Sequence, residues 1–303
     1  MSVREVVVVG HAALDRIYRI AAFAKRPAKH RALEHIESGG GSAANAAAAI
    51  GRLGGRVQLW SRVGRDDNGC KVIAALASDG VETGRILRHE GSRTSTAAVI
   101  VDGDGERLVA SERDHAMPSS CDWLPLDEIA ESAAVVSDMS WREATLAAFR
   151  CARMHGVPTV LDIDVGGGLP SKDVLGLTDF AIASRDALET LVDGADRAQK
   201  LLRLIALGVR HAGVTLGKEG YDWTNSVGGS GFQPAFEAEV VDTTGAGDAF
   251  HGAFAWALAR RHNEAECARI AAAVAALKCR RLGARAGLPT REELDVFLVA
   301  RRA

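Results

Sequence analysis

Val6-Val7-Val8-Val9 is an unbroken β-branched run closed by Gly10. A strand with water on one face alternates apolar and polar residues. A strand apolar at every position has both faces covered, as in a parallel sheet layered between helices. Short apolar runs at 57–60, 133–136, 159–161, 181–183 and 213–216 repeat the signal. Helix-prone stretches at 43–53, 69–78, 143–155, 186–192 and 195–207 lie between most of them. The alternation predicts an α/β fold with a mainly parallel central sheet flanked by helices. Two stretches, 14–37 and 94–111, break the rhythm and are not followed by a crossover helix. The second contains Asp102-Gly103-Asp104-Gly105 and reads as two strands joined by a hairpin. Both are expected to form a small β-sheet lid (14–37 and 94–111) on an α/β body made of 1–13, 38–93 and 112–303.

The formal net charge of −2 gives no bulk electrostatic case for nucleic acid or an anionic membrane as partner. The longest apolar stretches, such as 270–277, are far too short to span a bilayer. Five cysteines are scattered without C-x-x-C spacing or a zinc-type His/Cys cluster. That pattern suits reduced thiols, and a cytoplasmic location is expected.

The strongest local signal is Val241-Asp242-Thr243-Thr244-Gly245-Ala246-Gly247-Asp248-Ala249-Phe250, which opens a helix-like segment at 251–259. Glycines let the backbone approach a ligand closely, and a helix start offers unpaired N–H groups and a positive dipole end. Gly245, Ala246 and Gly247 therefore read as an anion hole suited to a phosphoryl group. Asp248 stands where a substrate hydroxyl would need a proton acceptor. The competing reading is a glycine-rich turn with Asp248 as an ordinary helix N-cap.

Residues 242–251 resemble the C-terminal signature of the ribokinase-like (PfkB-type) carbohydrate kinases. The run GGGSAANAAAAIGRLG at 39–54 resembles their N-terminal signature. The two lie in the family's order, and the likeness covers nearly the whole chain. There is no Gly-x-x-x-x-Gly-Lys-Ser/Thr string and no protein-kinase glycine loop. The resemblance implies ATP and Mg²⁺, with Asp248 as catalytic base and Gly245, Ala246 and Gly247 as anion-hole backbone. It further implies sugar contacts from Asp15, Gly40, Gly41 and Asn45, and an ATP-site lining from Thr215 and Gly217. Asp242 and Thr244, with carbonyls near Arg280 and Gly283, match the loop that holds a monovalent cation such as K⁺ in some members. Asp15 as a solvated turn residue, Gly39–Gly41 as a plain strand-to-helix turn with Asn45 packed in the helix, and Thr215–Gly217 as a strand end are the competing readings.

The family's N-x-x-E string is absent: Ser184-Arg185-Asp186-Ala187 stands in its place, with Asp186 or Glu189 left to meet metal-bound water or to be solvated helix residues. DRIY at 15–18, VLDIDV at 160–165, YDW at 221–223, QPAF at 233–236, VVDTTGAGDAFHGA at 240–253 and AALKCRRLGARAG at 275–287 resemble the sulfofructose kinase subgroup. That subgroup implies a ketohexose acceptor bearing a sulfonate, with Lys29 near the substrate, although a loop lysine is equally a solvated charge. Its remaining anion-binding positions fall on Ser111 and Ser140, while Arg113 and Arg142 lie close by but out of register.

The resemblance thus implies a kinase acting on a ketohexose or ketohexose derivative, with a sugar and ATP as partners, and an exposed lid sheet is expected to serve as a homodimer surface. A nucleoside or other sugar kinase is the alternative within the enzyme class. A non-catalytic sugar-binding regulator is the alternative outside it. Fold alone does not separate these, because function resides in the site.

Overall fold

The computed structural model describes residues 4–26, 28–165 and 169–301. The extreme ends of the expected α/β body, 1–3 and 302–303, lie outside the described residues. The strands are β1 (Val6–Val9), β2 (Ala13–Arg19), β3 (Glu34–Gly40), β4 (Val57–Gly64), β5 (Ile86–His89), β6 (Thr96–Val101), β7 (Arg107–Glu112), β8 (Ala134–Ser137), β9 (Thr159–Ile163), β10 (Phe180–Ser184), β11 (His211–Thr215), β12 (Gly220–Asn225) and β13 (Ser230–Pro234). Nine of them form one sheet in the order β13-β12-β11-β10-β9-β8-β1-β4-β5. It is parallel from β11 to β5, and the β12–β13 hairpin adds an antiparallel edge. All four valines of β1 are buried between β8 and β4 in the interior of this sheet, which is what their unbroken apolar character requires.

Each face carries its own core. One face packs under the Ser42–Arg52, Ala246–Ala259 and Glu264–Lys278 helices, with Trp256 and Phe254 fully buried. The other packs under Arg142–His155 and Arg197–Ala206, around Trp60, Trp141 and Phe149. The alanine-rich Ser42–Arg52 helix lies close against Ala246–Ala259. A Cβ on Gly252 would stand 2.3 Å from the Ala46 carbonyl oxygen, so the absence of a side chain there sets the approach of the two backbones. That approach brings Asn45 and Asp248 together.

The two stretches that break the α/β rhythm form a separate sheet, in the order β3-β2-β6-β7, with β2 parallel to β6 and the outer pairs antiparallel. Its small core is Ile17, Val99 and Val101, with Leu282 of the C-terminal segment packed against it. Among the described residues no helix is long and apolar enough to cross a membrane.

Candidate active site

Strands β1, β9, β10 and β11 deliver their C-terminal ends to one cleft, where open α/β sheets place ligands. The cleft holds about 740 Å³ and runs beneath the small sheet. His11 follows β1; Asp162 and Asp164 come from β9; Ser184, Arg185 and Asp186 follow β10; Thr215 and Gly217 end β11. Asp15, Thr96, Arg107 and Ser111 reach it from the small sheet. A second, largely apolar cavity of about 410 Å³ opens off the Thr215 end, walled by Phe236, Val240, Phe250, Ala272 and Ala276. The two share Thr215, Gly217, Thr243, Ala246 and Gly247.

The Gly245-Ala246-Gly247-Asp248 string lies at this junction. Gly245 is the N-cap of the Ala246–Ala259 helix, in the left-handed region at φ 73°, with a would-be Cβ 2.7 Å from the Ala284 methyl. The helix therefore opens at Ala246 rather than at 251. Asp248 falls inside its first turn, not at the capping position. A Cβ on Gly247 would meet nothing within 4 Å, so that backbone faces open cleft.

Asp248 is buried. Its Oδ2 accepts a hydrogen bond of 2.8 Å from Asn45 Nδ2. Burial pushes its carboxyl above the ordinary range, with Asp138 and Asp164 adding to the shift while the Asn45 bond and His251 oppose it. Asp162, buried near Asp248 and Asp138, is raised well above the usual carboxylate range for the same first reason. It lies 3.5 Å from His251 Nε2.

Asp15 sits on β2, 8 % exposed, with its carboxylate in the space a Gly40 side chain would fill. Burial raises it to about 6, against the pull of Arg285. Gly41 and Asn45 line the cleft, whereas Gly40 lies behind it, its carbonyl accepting from Arg285 Nη2 at 3.3 Å. Lys29 is exposed on the β2–β3 connection and is not among the residues lining the cleft. Neither is Glu189, which pairs with Lys200, or Ser140, whose amide donates to Asp138. Asp186 does line the cleft.

The Asp242 loop is closed by its own chain. Asp242 Oδ1 accepts from the Thr244 amide (2.9 Å) and hydroxyl (2.7 Å), and Oδ2 accepts from the Gly283 amide (2.7 Å). Lys278, fully buried at the end of its helix, donates Nζ–H to the Asp242 carbonyl at 2.7 Å.

Four residues outside the sequence expectations shape the site. Asp138 Oδ2 accepts from the His11 and Ala43 amides (3.0 and 2.9 Å), tying the end of β1 to the Ser42–Arg52 helix. Arg107 reaches from β7 to the Thr243 hydroxyl at 2.7 Å, linking the small sheet to the loop before the Ala246–Ala259 helix. Lys278 and Arg285 are the other two. Lys278, at the end of the apolar 270–277 stretch, and Arg285, flanked by alanines, both fall in the 275–287 string, which carries no separate role for either.

The model of the pfkB family of carbohydrate kinases matches residues 3–291. The Haemophilus influenzae ribokinase is 27 % identical over 97 % of this chain and 98 % of its own. The Arabidopsis thaliana "Probable fructokinase-4" is 33 % identical over 87 % of this chain and 88 % of its own. A crystal structure of a presumed ribokinase from Agrobacterium tumefaciens superposes with a TM-score of 0.92 at 32 % identity, covering 99 % of this chain and 98 % of that one. The Arabidopsis thaliana ribokinase complexed with ribose and ATP superposes with a TM-score of 0.85 at 27 % identity, over 98 % and 99 % of the two chains. With the family model spanning residues 3–291 and the fold shared end to end with these kinases, the chain is a member of the pfkB family, an ATP-dependent carbohydrate kinase.

Proposed function

We propose that the protein transfers the γ-phosphoryl group of ATP to a hydroxyl of a ketohexose or ketohexose derivative, fructose- or sulfofructose-like, with Asp248 as the base. The observation that carries this reading is the Asp248 carboxylate standing one residue beyond Gly247, whose missing side chain leaves the backbone open to a phosphoryl group. The acceptor lies between Asp15 and Asp248, with Gly41 and Asn45 beside it. Its hydroxyl proton goes to Asp248 as the new O–P bond forms and the bridging O–P bond to ADP breaks. The amides of Gly245 and Gly247 face the charge that develops on the transferred group, whereas the Ala246 amide, expected to join them, donates to the Thr243 carbonyl at 3.1 Å. The apolar cavity behind Thr215 and Gly217 accepts the adenine.

Asp164 and Asp186 suit a hydrated Mg²⁺ arriving with the nucleotide, and such an ion neutralises triphosphate charge. The residues present do not suit a further metal cation on the Asp242 loop. Both carboxylate oxygens are taken by its own chain, and Lys278 already brings a positive charge to its carbonyl. Arg113, exposed at the acceptor end near His11, is the cation available to an anionic acceptor head group, in place of Lys29. The exposed outer strand β7, with Leu108 and Val109, supports pairing of two copies through the small sheet. The free cysteines suit a reducing, cytoplasmic setting. An ATP-consumption screen across ketoses, aldoses, sugar acids, sulfosugars and nucleosides tests the assignment. Turnover confined to nucleosides or aldoses would overturn the ketohexose reading.

A further inference from the structure

Arg285 carries a full guanidinium into the interior with almost no exposure, at 7 %. It comes from the segment after the Glu264–Lys278 helix and lies against the glycines at the end of β3. A Cβ on Gly39 would stand 2.1 Å from its Cζ, so the glycine there makes room for the guanidinium. Its Nε donates to Asn45 Oδ1 at 2.9 Å and its Nη2 to the Gly40 carbonyl, while Nη1 has no partner. A charge buried this deeply and left partly unsatisfied costs stability, so its presence calls for a reason in the site.

The chemistry of the amide supplies one. The two ends of an Asn side chain have nearly the same shape and opposite hydrogen-bonding character. A carboxylate beside it only accepts; a guanidinium only donates. With Asp248 on one side and Arg285 on the other, a single orientation of Asn45 satisfies both: Oδ1 toward Arg285 and Nδ2 toward Asp248. The reversed amide would set oxygen against carboxylate and NH₂ against guanidinium. We infer that Arg285 is a positioning residue that locks Asn45 in one orientation, so that Asn45 holds Asp248 through Oδ2 and leaves Oδ1 directed to the acceptor hydroxyl. Asn45 thereby orients the base, beyond any contact it makes with sugar.

This inference rests on the kinase reading of the same site, and its test separates the two. In single-turnover phosphoryl transfer, Arg285→Met is expected to slow the chemical step by on the order of 10²-fold, the size of effect that misplacing a reacting group produces. The KM for ATP should stay within about twofold. Arg285→Lys, which keeps a donor toward Asn45 Oδ1, should recover part of the rate. In an Asn45→Ala background Arg285→Met should add little, because no amide remains to orient. A merely structural arginine would instead slow turnover by the same factor in both backgrounds, and that result would overturn the inference. Side-chain amide NMR of ¹⁵N-asparagine-labelled protein gives a readout independent of turnover. The Asn45 NH₂ pair should be sharp and shifted in the wild type and averaged or displaced in Arg285→Met. An unchanged pair would overturn the inference even if the enzyme is active. A changed pair in a chain that phosphorylates no sugar would uphold the Arg285 lock on Asn45 but sink the kinase reading, and with it the base-orienting role.

Discussion

Asn45 Nδ2 donates to Asp248 Oδ2 at 2.8 Å, joining residues 203 positions apart in the chain. The bond crosses the interface between the two signature helices and ties the acceptor side of the cleft to the phosphate side. It also lowers a carboxyl that burial raises. Asp248 must be ionised to accept a proton, and its net displacement is upward. The acid limb of kcat/KM should therefore lie above the ordinary aspartate pKa of about 3.8. A pH–rate profile checks this; a profile flat from pH 7 down to pH 4 would contradict it.

Gly245→Val and Gly247→Val should both remove turnover, by different routes. At Gly245 the left-handed backbone and the Ala284 contact make valine a folding problem, and the melting temperature should drop markedly. At Gly247 nothing obstructs the new side chain, which enters the space of the phosphoryl group. Stability should change little there, and sugar binding should survive. Near-normal turnover in Gly247→Val would remove the anion hole from the account.

Asp15 poses a trade between stability and binding. Its carboxyl is raised to about 6 in the folded state, above the unfolded value near 3.8. The folded protein therefore holds this proton more tightly, and stability falls as pH rises from about 4 through 6. Asp15→Asn should recover on the order of 2–3 kcal/mol at pH 8 and almost nothing at pH 4. Asp15→Ala should weaken sugar binding by about 2–5 kcal/mol, the range for cutting a buried charged partner, and leave ATP affinity unchanged. Denaturant melts at the two pH values and calorimetric titration with sugar measure both. Normal sugar affinity in Asp15→Ala would move the acceptor site elsewhere.

The Asp242 loop predicts indifference to potassium. With Lys278 on its carbonyl and three donors on its carboxylate, turnover should be the same in K⁺ and in tetramethylammonium salts. A strong requirement for K⁺ would show that a metal cation enters the loop despite the lysine.

The parallel strands were legible because burial on both faces forces consecutive apolar residues: β1, β8, β9, β10 and β11 all lie at or within a residue or two of such runs. The start of the Ala246–Ala259 helix was not, because Gly245 and Gly247 carry low helix propensity and mask its first turn. Strand β7 was found through its hairpin partner, since every one of its residues is exposed and burial left no pattern in it. The β12–β13 hairpin ends in a loop whose signal blends into mixed strands, so the antiparallel edge passed unread. Asp248, Asp15 and Asn45 stood inside recognisable strings. Arg285 and Lys278 also stood in such a string, at 275–287, but they, like Asp138, act through partners far along the chain that no local pattern specifies.

The central claim is that Asp248 accepts the acceptor proton, and single-turnover phosphoryl transfer by Asp248→Asn measures it most directly. Asparagine keeps the shape and one acceptor oxygen, so equilibrium binding of ATP and sugar, measured in parallel, should change little. The chemical step should slow by on the order of 10²–10⁴-fold, the usual contribution of a general base. A step within about tenfold of wild type, with both substrates bound normally, would contradict the account.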